Sequence, residues 1–386
     1  MDCRHGMLAA VAILLLVISA STIAAETASV DQLDVCLSGQ HGYHTYRIPS
    51  LIVTNKATVL AFCEGRRNGR GDSGDIDLLL RRSTDGGLTF SRQEIVWDDG
   101  PNTCGNPCPV LDAETGTVWL LLTHNLGTDR EPDIIAQKSK GTRTVWVSHS
   151  TDDGLSWSKP LEITEQTKMP DWTWYATGPG AGIQLGSGRL VVPCDHMEAG
   201  TRAFGAHVIY SDDHGQTWKL GGTTTSKATA KSKVNECEVI ERADGSLLLN
   251  MRNYDRRHKC RAVATSPDGG LTFSEVSYDE TLVEPICQAS IRRYPSPTDP
   301  GKNRVLFSNP ADKVDRRRIT VRLSDDDAKR WSVSKVLWPG PAAYSCLAVL
   351  PDGTILCLYE RGTQHPSEKI TLARFTLEWL SDGKDR

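Results

Sequence analysis

The sequence predicts an all-β fold, a six-bladed β-propeller built from four-stranded antiparallel sheets, on three observations. First, an eight-residue pattern, Ser-x-Asp-x-Gly-x-Thr/Ser-Trp/Phe, occurs four times intact and once in degenerate form. Second, the copies begin 55 to 67 residues apart, which is the length of a four-stranded sheet with its loops. Third, dividing the chain after its first 25 residues by about 60 gives about six sheets, within the range of propellers.

Each copy of this pattern, here called an Asp box, has the chemistry of a tight turn. The Asp carboxylate can accept bonds from backbone N–H groups, the Gly adopts a positive φ, and the closing aromatic packs beneath the turn. We interpret the boxes as folding devices whose carboxylates are committed to the backbone, and we expect the catalytic residues elsewhere. The boxes begin at Ser83, Ser150, Ser211, Ser266 and Ser324. Short strand patterns precede the intact boxes at residues 77–82, 144–149, 207–210 and 261–265.

The composition is that of one glycine-rich globular domain, which we place at residues 26–386. The chain has 386 residues, 39% hydrophobic residues and 33 glycines, enough to bury a core. Its 44 basic and 48 acidic residues give a net charge of −4, which excludes an overall field that would attract nucleic acid or a membrane surface. Ten cysteines follow the first 25 residues at spacings that match no metal site. We expect most of them to be buried small side chains, and an exported protein leaves room for one or two disulfides among them.

The N-terminus has the order of a secretory signal peptide. Arg4 and His5 precede an apolar segment at residues 7–20, and small residues follow through Ala24 and Ala25. The apolar segment is too short for a permanent membrane span, and an N-terminal anchor is the alternative. We therefore expect cleavage after residue 25 and a secreted or periplasmic protein. The absence of any Asn-x-Ser/Thr triplet favours export from a bacterium over a eukaryotic secreted or lysosomal enzyme.

Two motifs in the first quarter of the chain contain residues with catalytic or binding chemistry. The motif Tyr-Arg-Ile-Pro, with Arg47 as its second residue, opens an apolar strand, where an arbitrary arginine would be an ordinary surface residue. A glycine-rich, charged segment at residues 61–75 contains Arg66 and, six residues later, Asp72, with Asp75 as an alternative. Loops of this kind on a rigid scaffold often carry functional sites.

Further candidates stand in short motifs at the ends of predicted strands. Glu236 and Glu238 alternate along one strand and so face the same side, and a pair of carboxylates facing a core is costly unless it is used. A single tyrosine in a strand is usually a core or rim residue. The remaining candidates are Asn106 in Asn-Pro-Cys-Pro, Arg252 in Asn-Met-Arg-Asn, Gln288 in Cys-Gln-Ala-Ser, Arg316 at the head of three arginines, Tyr344 in Ala-Tyr-Ser and Glu360 in Leu-Tyr-Glu.

In this order, and interleaved with the Asp boxes, these motifs resemble the exo-α-sialidases (neuraminidases) of the secreted bacterial type, a family of six-bladed propellers. The resemblance covers nearly the whole chain after residue 25. It implies hydrolysis of terminal sialic acids from glycoproteins, gangliosides and sialyl-oligosaccharides, with no cofactor or metal ion. It implies these roles: Asp72 as acid and base, Tyr344 as nucleophile, Glu236 as its partner, Arg47, Arg66, Asn106, Arg252, Gln288 and Arg316 as substrate contacts, and Glu360 as the brace of Arg47.

The chemistry of a sialic acid accounts for these residue types. Its anomeric carbon carries a carboxylate, which forked guanidinium groups bind better than an ammonium does. A carboxylate nucleophile would be repelled by that group, so a neutral phenol is the better attacker, and sialidases are exceptions of this kind among glycosidases. A phenol with a pKa of about 10 needs a base within hydrogen-bond reach. We expect Glu236 to accept the proton of Tyr344 and the anomeric configuration to be retained.

Several alternatives stay open. A glycan-binding propeller without turnover would need the arginines but no nucleophile with its base, whereas a hydrolase of another sugar would not need three arginines. A trans-sialidase or intramolecular trans-sialidase would need an aromatic acceptor platform, for which Trp172 and Trp174 are candidates. The third arginine could also be Arg317 or Arg318. We expect a monomer with no nucleic-acid partner, and the linkage and N-acyl preferences stay open.

Overall fold

The computed structural model describes residues 29–201, 203–224, 233–295 and 301–384, so the predicted signal peptide lies outside the described residues. Within these ranges 24 β-strands form four sheets, and helix is confined to short turns. Neighbouring strands are mostly antiparallel. The prediction of an all-β, antiparallel fold is confirmed. The first strand, β1 (Asp31–Leu37), pairs with the last strand and is described with it below.

The sheet nearest the N-terminus has eight strands in two antiparallel groups of four. One parallel contact, between Ile76 and Thr103, joins the two groups. The first group contains β2 (Thr45–Val53), β3 (Val59–Arg66), β4 (Ile76–Ser83) and β5 (Glu94–Trp97). The second group contains β6 (Thr103–Leu111), β7 (Val118–Asn125), β8 (Thr144–Ser150) and β9 (Leu161–Glu162).

The two following sheets are separate antiparallel groups. The third group contains β10 (Trp172–Thr177), β11 (Ile183–Gln184), β12 (Leu190–Glu198), β13 (Phe204–Ser211) and β14 (Lys219–Thr223). In this group β10 and the two-residue β11 both pair with β12. The fourth group contains β15 (Val234–Glu241), β16 (Leu247–Asn253), β17 (Cys260–Ser266) and β18 (Ser277–Val283).

The last sheet has seven strands, one of which is shared between two groups. It contains β19 (Ser290–Arg293), β20 (Val305–Pro310), β21 (Arg317–Ser324), β22 (Val333–Val349), β23 (Ile355–Arg361), β24 (Lys369–Phe375) and β1. The first half of β22 pairs with β21 and its second half pairs with β23. Because β1 pairs antiparallel with β24, the first described strand is hydrogen-bonded to the last.

The helical segments are short and lie between strands or after them. They are α1 (Glu131–Ile135), α2 (Thr164–Thr167), α3 (Leu377–Leu380) and a 3-10 turn at Pro366–Glu368. Pro132 suits the first turn of α1 because the proline lacks an N–H that would have no partner there. The Thr376 hydroxyl caps α3 by accepting the N–H of Trp379. In the part of the chain that is described, no helix has the length and apolar character needed to cross a membrane.

The Asp boxes join the third and fourth strands of their groups. In the first box the Ser83 hydroxyl donates to the Asp85 carboxylate at 2.7 Å and accepts the Gly87 N–H at 2.8 Å. The Asp85 carboxylate also accepts the N–H of Thr89 at 3.0 Å. The other intact boxes repeat these bonds. The interpretation of the boxes as turns with committed carboxylates is confirmed.

The degenerate box keeps the same bonds at a cost in backbone strain. The Ser324 hydroxyl donates to Asp326 at 2.9 Å and accepts the N–H of Ala328 at 3.0 Å. Ala328 stands where the intact boxes have Gly, and its φ is 63°. A residue with a Cβ is disfavoured in this left-handed region. The serine–aspartate hydrogen bonds are therefore sufficient to hold the turn without the glycine.

The core lies between neighbouring strand groups, so several strands are buried on both faces. All eight residues of β3 are buried. Phe62 on β3 contacts Trp157 from the box of the next group, with ring centroids 5.6 Å apart. The ten described cysteines are buried and none is in a disulfide. Burial of the cysteines, as predicted, is therefore confirmed.

One carboxyl group, that of Glu238, is also buried in the core. It accepts bonds from the Ser290 hydroxyl at 2.8 Å and from the Ile291 N–H at 2.9 Å. Burial raises the pKa of Glu238 to about 7, although Arg292 and these hydrogen bonds oppose the rise. The strands therefore pack around a carboxyl group that titrates near neutral pH.

This raised pKa predicts a pH-dependent stability. The folded state holds a proton between the usual pKa of 4.5 and about 7, whereas the unfolded state releases it. The free energy of unfolding therefore falls as pH rises through this window, by roughly 3 kcal/mol in total, and is constant above it. We expect the free energy of unfolding of the protein, minus that of its Glu238→Gln variant, to fall between pH 5 and pH 8, because only the unsubstituted protein loses this contribution.

Urea unfolding at several pH values measures this difference. Glu275→Gln, at an exposed position, is the matched control and should show a constant offset from the unsubstituted protein. A Glu238→Gln offset that is also constant from pH 5 to pH 8 would show that the Glu238 carboxyl does not titrate in this window.

Candidate active site

Register shifts occur in the first strand of five groups, and each shift includes or adjoins a residue that lines a common pocket. They lie between Arg47 and Ser50, Gly105 and Cys108, Trp172 and Tyr175, Val234 and Cys237, and Ala342 and Ser345. Bulges of this kind re-aim side chains and are common beside active sites. Two residues inside them have positive φ, Ile48 at 60° and Asn106 at 52°.

One pocket at these bulges gathers eight of the ten predicted site residues. They are Arg47, Arg66, Asp72, Asn106, Glu236, Arg252, Arg316 and Tyr344. The residues come from strands and loops of five different groups, and their side chains share one cavity. The pocket is strongly polar, with four of the predicted arginines and two of the predicted carboxylates.

At the floor of the pocket, Tyr344 is hydrogen-bonded to a carboxylate and a guanidinium. Its hydroxyl donates to Glu236 Oε1 at 2.5 Å and accepts from Arg252 Nη1 at 3.0 Å. The same Arg252 nitrogen donates to Glu236 Oε2 at 2.5 Å. The phenol therefore has a proton acceptor within reach and a positive charge beside the oxygen that would ionise.

Two further guanidinium groups lie over the Tyr344 ring. The Arg47 guanidinium is 5.0 Å from the ring centroid and that of Arg316 is 5.7 Å from it. Burial raises the pKa of Tyr344 well above its ordinary value, and the Glu236 carboxylate raises it further. The three arginines lower the pKa without offsetting these effects. In the unliganded pocket the phenol is therefore neutral.

The register of the third arginine is visible in the structure. Arg316 is half-buried, lines the pocket and donates to the carbonyl of Ile286 at 3.0 Å. Arg317 and Arg318 are exposed. Of the three tandem arginines, Arg316 is the one that reaches the pocket.

Arg66 connects the charged loop to Glu64 on the same strand, β3. Its guanidinium donates to Glu64 at 2.7 Å, lies 2.7 Å from the Asp72 carboxylate, and donates to the carbonyl of Arg70 at 2.6 Å. Loss of hydration raises the pKa of Asp72, but Arg66 and Arg47 outweigh this effect and the pKa is lowered overall. Asp75, the alternative, pairs with Arg67 at 3.0 Å and does not line the pocket.

Glu360 and Gln288 lie behind the pocket wall. Glu360 is fully buried and accepts from Arg47 Nε at 2.7 Å and from the Ile48 N–H at 2.9 Å. Gln288 is also buried, and its amide donates to the carbonyl of Ser345 at 3.0 Å and accepts the Ser345 N–H at 3.0 Å. The side chain of Gln288 is thus bonded to the strand of Tyr344 and is a support for it, where the sequence predicts a substrate contact.

The structure adds pocket residues that were not site candidates from the sequence, namely Glu64, Glu131, Arg143, Ala176, Asn235 and Tyr254. Arg143 is buried and stacks 4.3 Å above the ring of Trp174. It donates to the side-chain oxygen of Asn106, which fixes the side chain of that predicted residue. A basic residue that directly precedes a strand was the available signal in the sequence, but it is too common to be specific.

Two carboxyl groups at the pocket wall have raised pKa values. Burial raises the pKa of Asp195 well above its ordinary value, and Glu236 and Glu131 raise it further. Burial also raises the pKa of Glu131, with a contribution from Asp72. Burial and the crowding of carboxyl groups therefore disfavour the ionised forms of Asp195 and Glu131.

Of the two tryptophans that are candidates for an acceptor platform, Trp174 lines the pocket and Trp172 packs in the core. Trp174 and Asp195 line the pocket. Trp172 instead stacks on His196 with centroids 3.5 Å apart, and His196 is 3.0 Å from the ring of His207. Among the described residues, no group of three or more His, Cys, Asp and Glu side chains is arranged to hold a metal ion.

Comparison with known proteins gives consistent matches. The family model for the BNR repeat-like domain matches residues 57–357. The "Sialidase" of Micromonospora viridifaciens is 37% identical over 369 residues, which is 90% of this chain and 54% of that protein. The "Exo-alpha-sialidase" of Arthroderma benhamiae is 33% identical over 374 residues, 89% of this chain and 86% of that protein. The chain thus spans about half the length of the first relative and most of the second.

Among solved structures, the "Hadza microbial sialidase Hz136" matches with a TM-score of 0.81 and 33% sequence identity. The match covers 90% of this chain and 69% of that chain. Sequence similarity and fold similarity therefore each extend over about nine tenths of this chain.

The buried ion pair of Arg66 predicts a large stability effect. Arg66 and Glu64 are both 2% exposed. Glu64→Ala would remove the buried partner of the guanidinium, leave it only the exposed Asp72 carboxylate, and remove the acceptor of the Asn106 N–H. We therefore expect a loss of about 3–5 kcal/mol in the free energy of unfolding. Glu94→Ala, at an exposed position of β5, is the control and should change the value by less than about 1 kcal/mol. Equal urea midpoints for the two variants would contradict this account of the wall.

Proposed function

This chain belongs to the sialidase family, and we propose that it is an exo-α-sialidase that removes terminal sialic acids with retention of configuration. The observation that carries the proposal is the hydrogen bond of 2.5 Å from the Tyr344 hydroxyl to Glu236, surrounded by the guanidinium groups of Arg47, Arg252 and Arg316. A lectin would have use for the arginines, but it would not need a phenol paired with a base. The substrates we propose are sialylated glycoproteins, gangliosides and sialyl-oligosaccharides.

In the first step, Tyr344 attacks the anomeric carbon while Glu236 accepts the phenolic proton. The three arginines bind the substrate carboxylate and lower the energy of the charge that develops beside it. Asp72 donates a proton to the departing glycosidic oxygen. A neutral attacker avoids the repulsion that a carboxylate nucleophile would meet beside the substrate carboxylate.

In the second step, Asp72 takes a proton from water, which attacks the anomeric carbon and displaces Tyr344, and Glu236 returns its proton to the departing phenolate. Two inversions give net retention. Asp72 must enter the first step protonated, although Arg66 at 2.7 Å favours its ionised form in the unliganded pocket. We propose that a bound substrate hydroxyl takes over hydrogen bonds of Arg66 and thereby frees Asp72 for proton transfer.

We also propose that the fold is a six-bladed propeller. The strand pairing supports this count, because the strands divide into six antiparallel groups of four, with β11 as an addition to the third. Among the described residues, the first two groups are joined by a single strand pairing, Ile76 with Thr103, and the last two groups share β22. The sixth group combines the second half of β22 with β23, β24 and β1.

For the remainder of the chain we propose a cleaved leader at residues 1–25, a single catalytic domain at 26–386, and a secreted or periplasmic monomer. The leader pattern supports this location. The N-terminal residue of the protein recovered outside the cytoplasm of an expressing bacterium tests it, because a protein that begins at residue 1 would be inconsistent with cleavage.

Activity of the nucleophile pair is tested with 4-methylumbelliferyl-sialic acid. We expect fluorophore release by the protein and a loss of at least about 100-fold in kcat for Tyr344→Phe, because the attacking oxygen is removed. Tyr210→Phe, on β13 and away from the pocket, is the matched control and should keep full activity. Fluorophore release that survives in Tyr344→Phe at the original rate would exclude Tyr344 as nucleophile.

Proton NMR of the first product identifies the reaction type in the same experiment. The α anomer of free sialic acid is expected, because retention follows from the double displacement. A 2,7-anhydro product would instead identify an intramolecular trans-sialidase, and transfer to added lactose would identify a trans-sialidase. Binding of sialic acid without any product would favour the lectin.

The role of Asp72 is tested by changing the leaving group. A methylumbelliferyl leaving group needs little protonation, whereas the sugar alcohol of sialyllactose needs a full proton. We therefore expect Asp72→Asn to lower kcat/KM for sialyllactose at least about tenfold more than for the aryl substrate. Asp75→Asn is the matched control in the same loop, and an equal loss on both substrates for Asp72→Asn would argue against an acid role.

A further inference from the structure

Two cysteines that are distant in the sequence contact each other in the core. Cys36 on β1 and Cys63 on β3 are 27 residues apart, and their Sγ atoms are 3.9 Å apart. Both side chains are buried, with 5% and 4% of their surfaces exposed. A disulfide has an S–S distance of about 2.05 Å, so rotation of the side chains has to close the remaining gap.

The contact bridges two strand groups. Cys36 lies on β1, which pairs with β24, whereas Cys63 lies on β3, which pairs with β2 and β4. Both belong to one hydrophobic cluster that also contains Tyr46 and Leu372. A covalent bond between them would therefore join the first group to the last.

The charge environment distinguishes this pair from the other cysteines. Arg81 on β4 lies on the same face as Cys63 of the adjacent strand, because Ala61 pairs with Arg81 and Cys63 pairs with Leu79. The hydrogen bond with the Cys63 thiol lowers the pKa of Cys36, burial opposes this, and Arg81 lowers it further. The pKa of every other described cysteine is raised. Cys36 is thus the described thiol best suited to form the thiolate that thiol–disulfide exchange requires.

We propose that Cys36 and Cys63 are a disulfide-forming pair that a small-molecule or protein disulfide oxidises. The Cys36 thiolate attacks one sulfur of the oxidant, and the other sulfur leaves as a thiol after taking a proton. The Cys63 thiolate then attacks the Cys36 sulfur of the mixed disulfide and displaces the second thiol. The oxidant disulfide is reduced to two thiols, and the two cysteines are oxidised to one disulfide.

The bond has a structural consequence for the pocket. Arg47 on β2 and Glu360 on β23 form an ion pair of 2.7 Å across the same junction between the first and last groups. The disulfide would hold these groups together covalently. It would also restrict the unfolded chain between Cys36 and Cys63, which are 27 residues apart. We expect oxidation to raise the melting temperature by roughly 5 °C.

The test uses the full chain, first reduced and freed of reductant, and then incubated with oxidised glutathione. After alkylation of the remaining thiols and digestion, we expect a linked peptide pair that contains Cys36 and Cys63. A glutathione adduct that does not resolve, a link between other cysteines, or alkylation of both Cys36 and Cys63 would overturn the proposal.

Melting temperature provides a second readout with a matched control. Oxidation should stabilise the unsubstituted protein and the Cys260→Ala variant equally, because Cys260 lies on β17, in another group. Oxidation should leave the melting temperature of Cys63→Ala unchanged. Equal stabilisation of Cys63→Ala would overturn the proposal. If Cys63→Ala does not fold, peptide mapping of the unsubstituted protein still decides the question.

Discussion

The pairing of buried guanidinium groups with buried carboxylates makes the pocket possible. Arg47 pairs with Glu360, Arg66 with Glu64, and Arg252 with Glu236. A guanidinium without such a partner would be costly to bury, whereas a paired one keeps further N–H groups for a ligand. Several positive charges can therefore stand around Tyr344 before any substrate carboxylate arrives. Arg316 differs, since it donates to the carbonyl of Ile286, and a bound carboxylate would supply its negative partner.

The register shifts explain how extended strands present these groups. In a regular strand, side chains alternate between two faces, and both faces of these strands are needed for packing against neighbouring groups. The shifts around Ile48, Asn106, Glu236 and Tyr344 interrupt this alternation at the pocket end. Ile48 adopts a φ of 60°, which is unfavourable for a β-branched residue, and its N–H donates to Glu360. The strain and the hydrogen bond occur at the residue next to Arg47.

Much of the fold was predictable from the sequence, because the Asp boxes fix turns through local bonds that any copy of the motif makes. The site was predictable where a motif marks a residue, as for Arg47, Asp72 and Tyr344. Arg143 directly precedes β8 and Glu131 begins α1, and neither residue stands in a recognisable motif. Only the tertiary fold brings them to the pocket. Gln288 was predicted to contact the substrate, but its side chain bonds to the backbone of Ser345. That bond depends on how closely two segments far apart in the sequence approach each other, which the local sequence does not determine.

The pairing of β1 with β24 also bears on how the protein is made. Lys369 on β24 binds Asp34 on β1, and these residues are 335 positions apart. During translation, β1 leaves the ribosome first and has no strand partner until nearly the whole chain has emerged. Contacts of such long sequence separation form slowly. Arg47 likewise lacks its Glu360 partner until late in synthesis, so the pocket is completed in the same late event. A truncated chain would contain the pocket motifs without bringing them together.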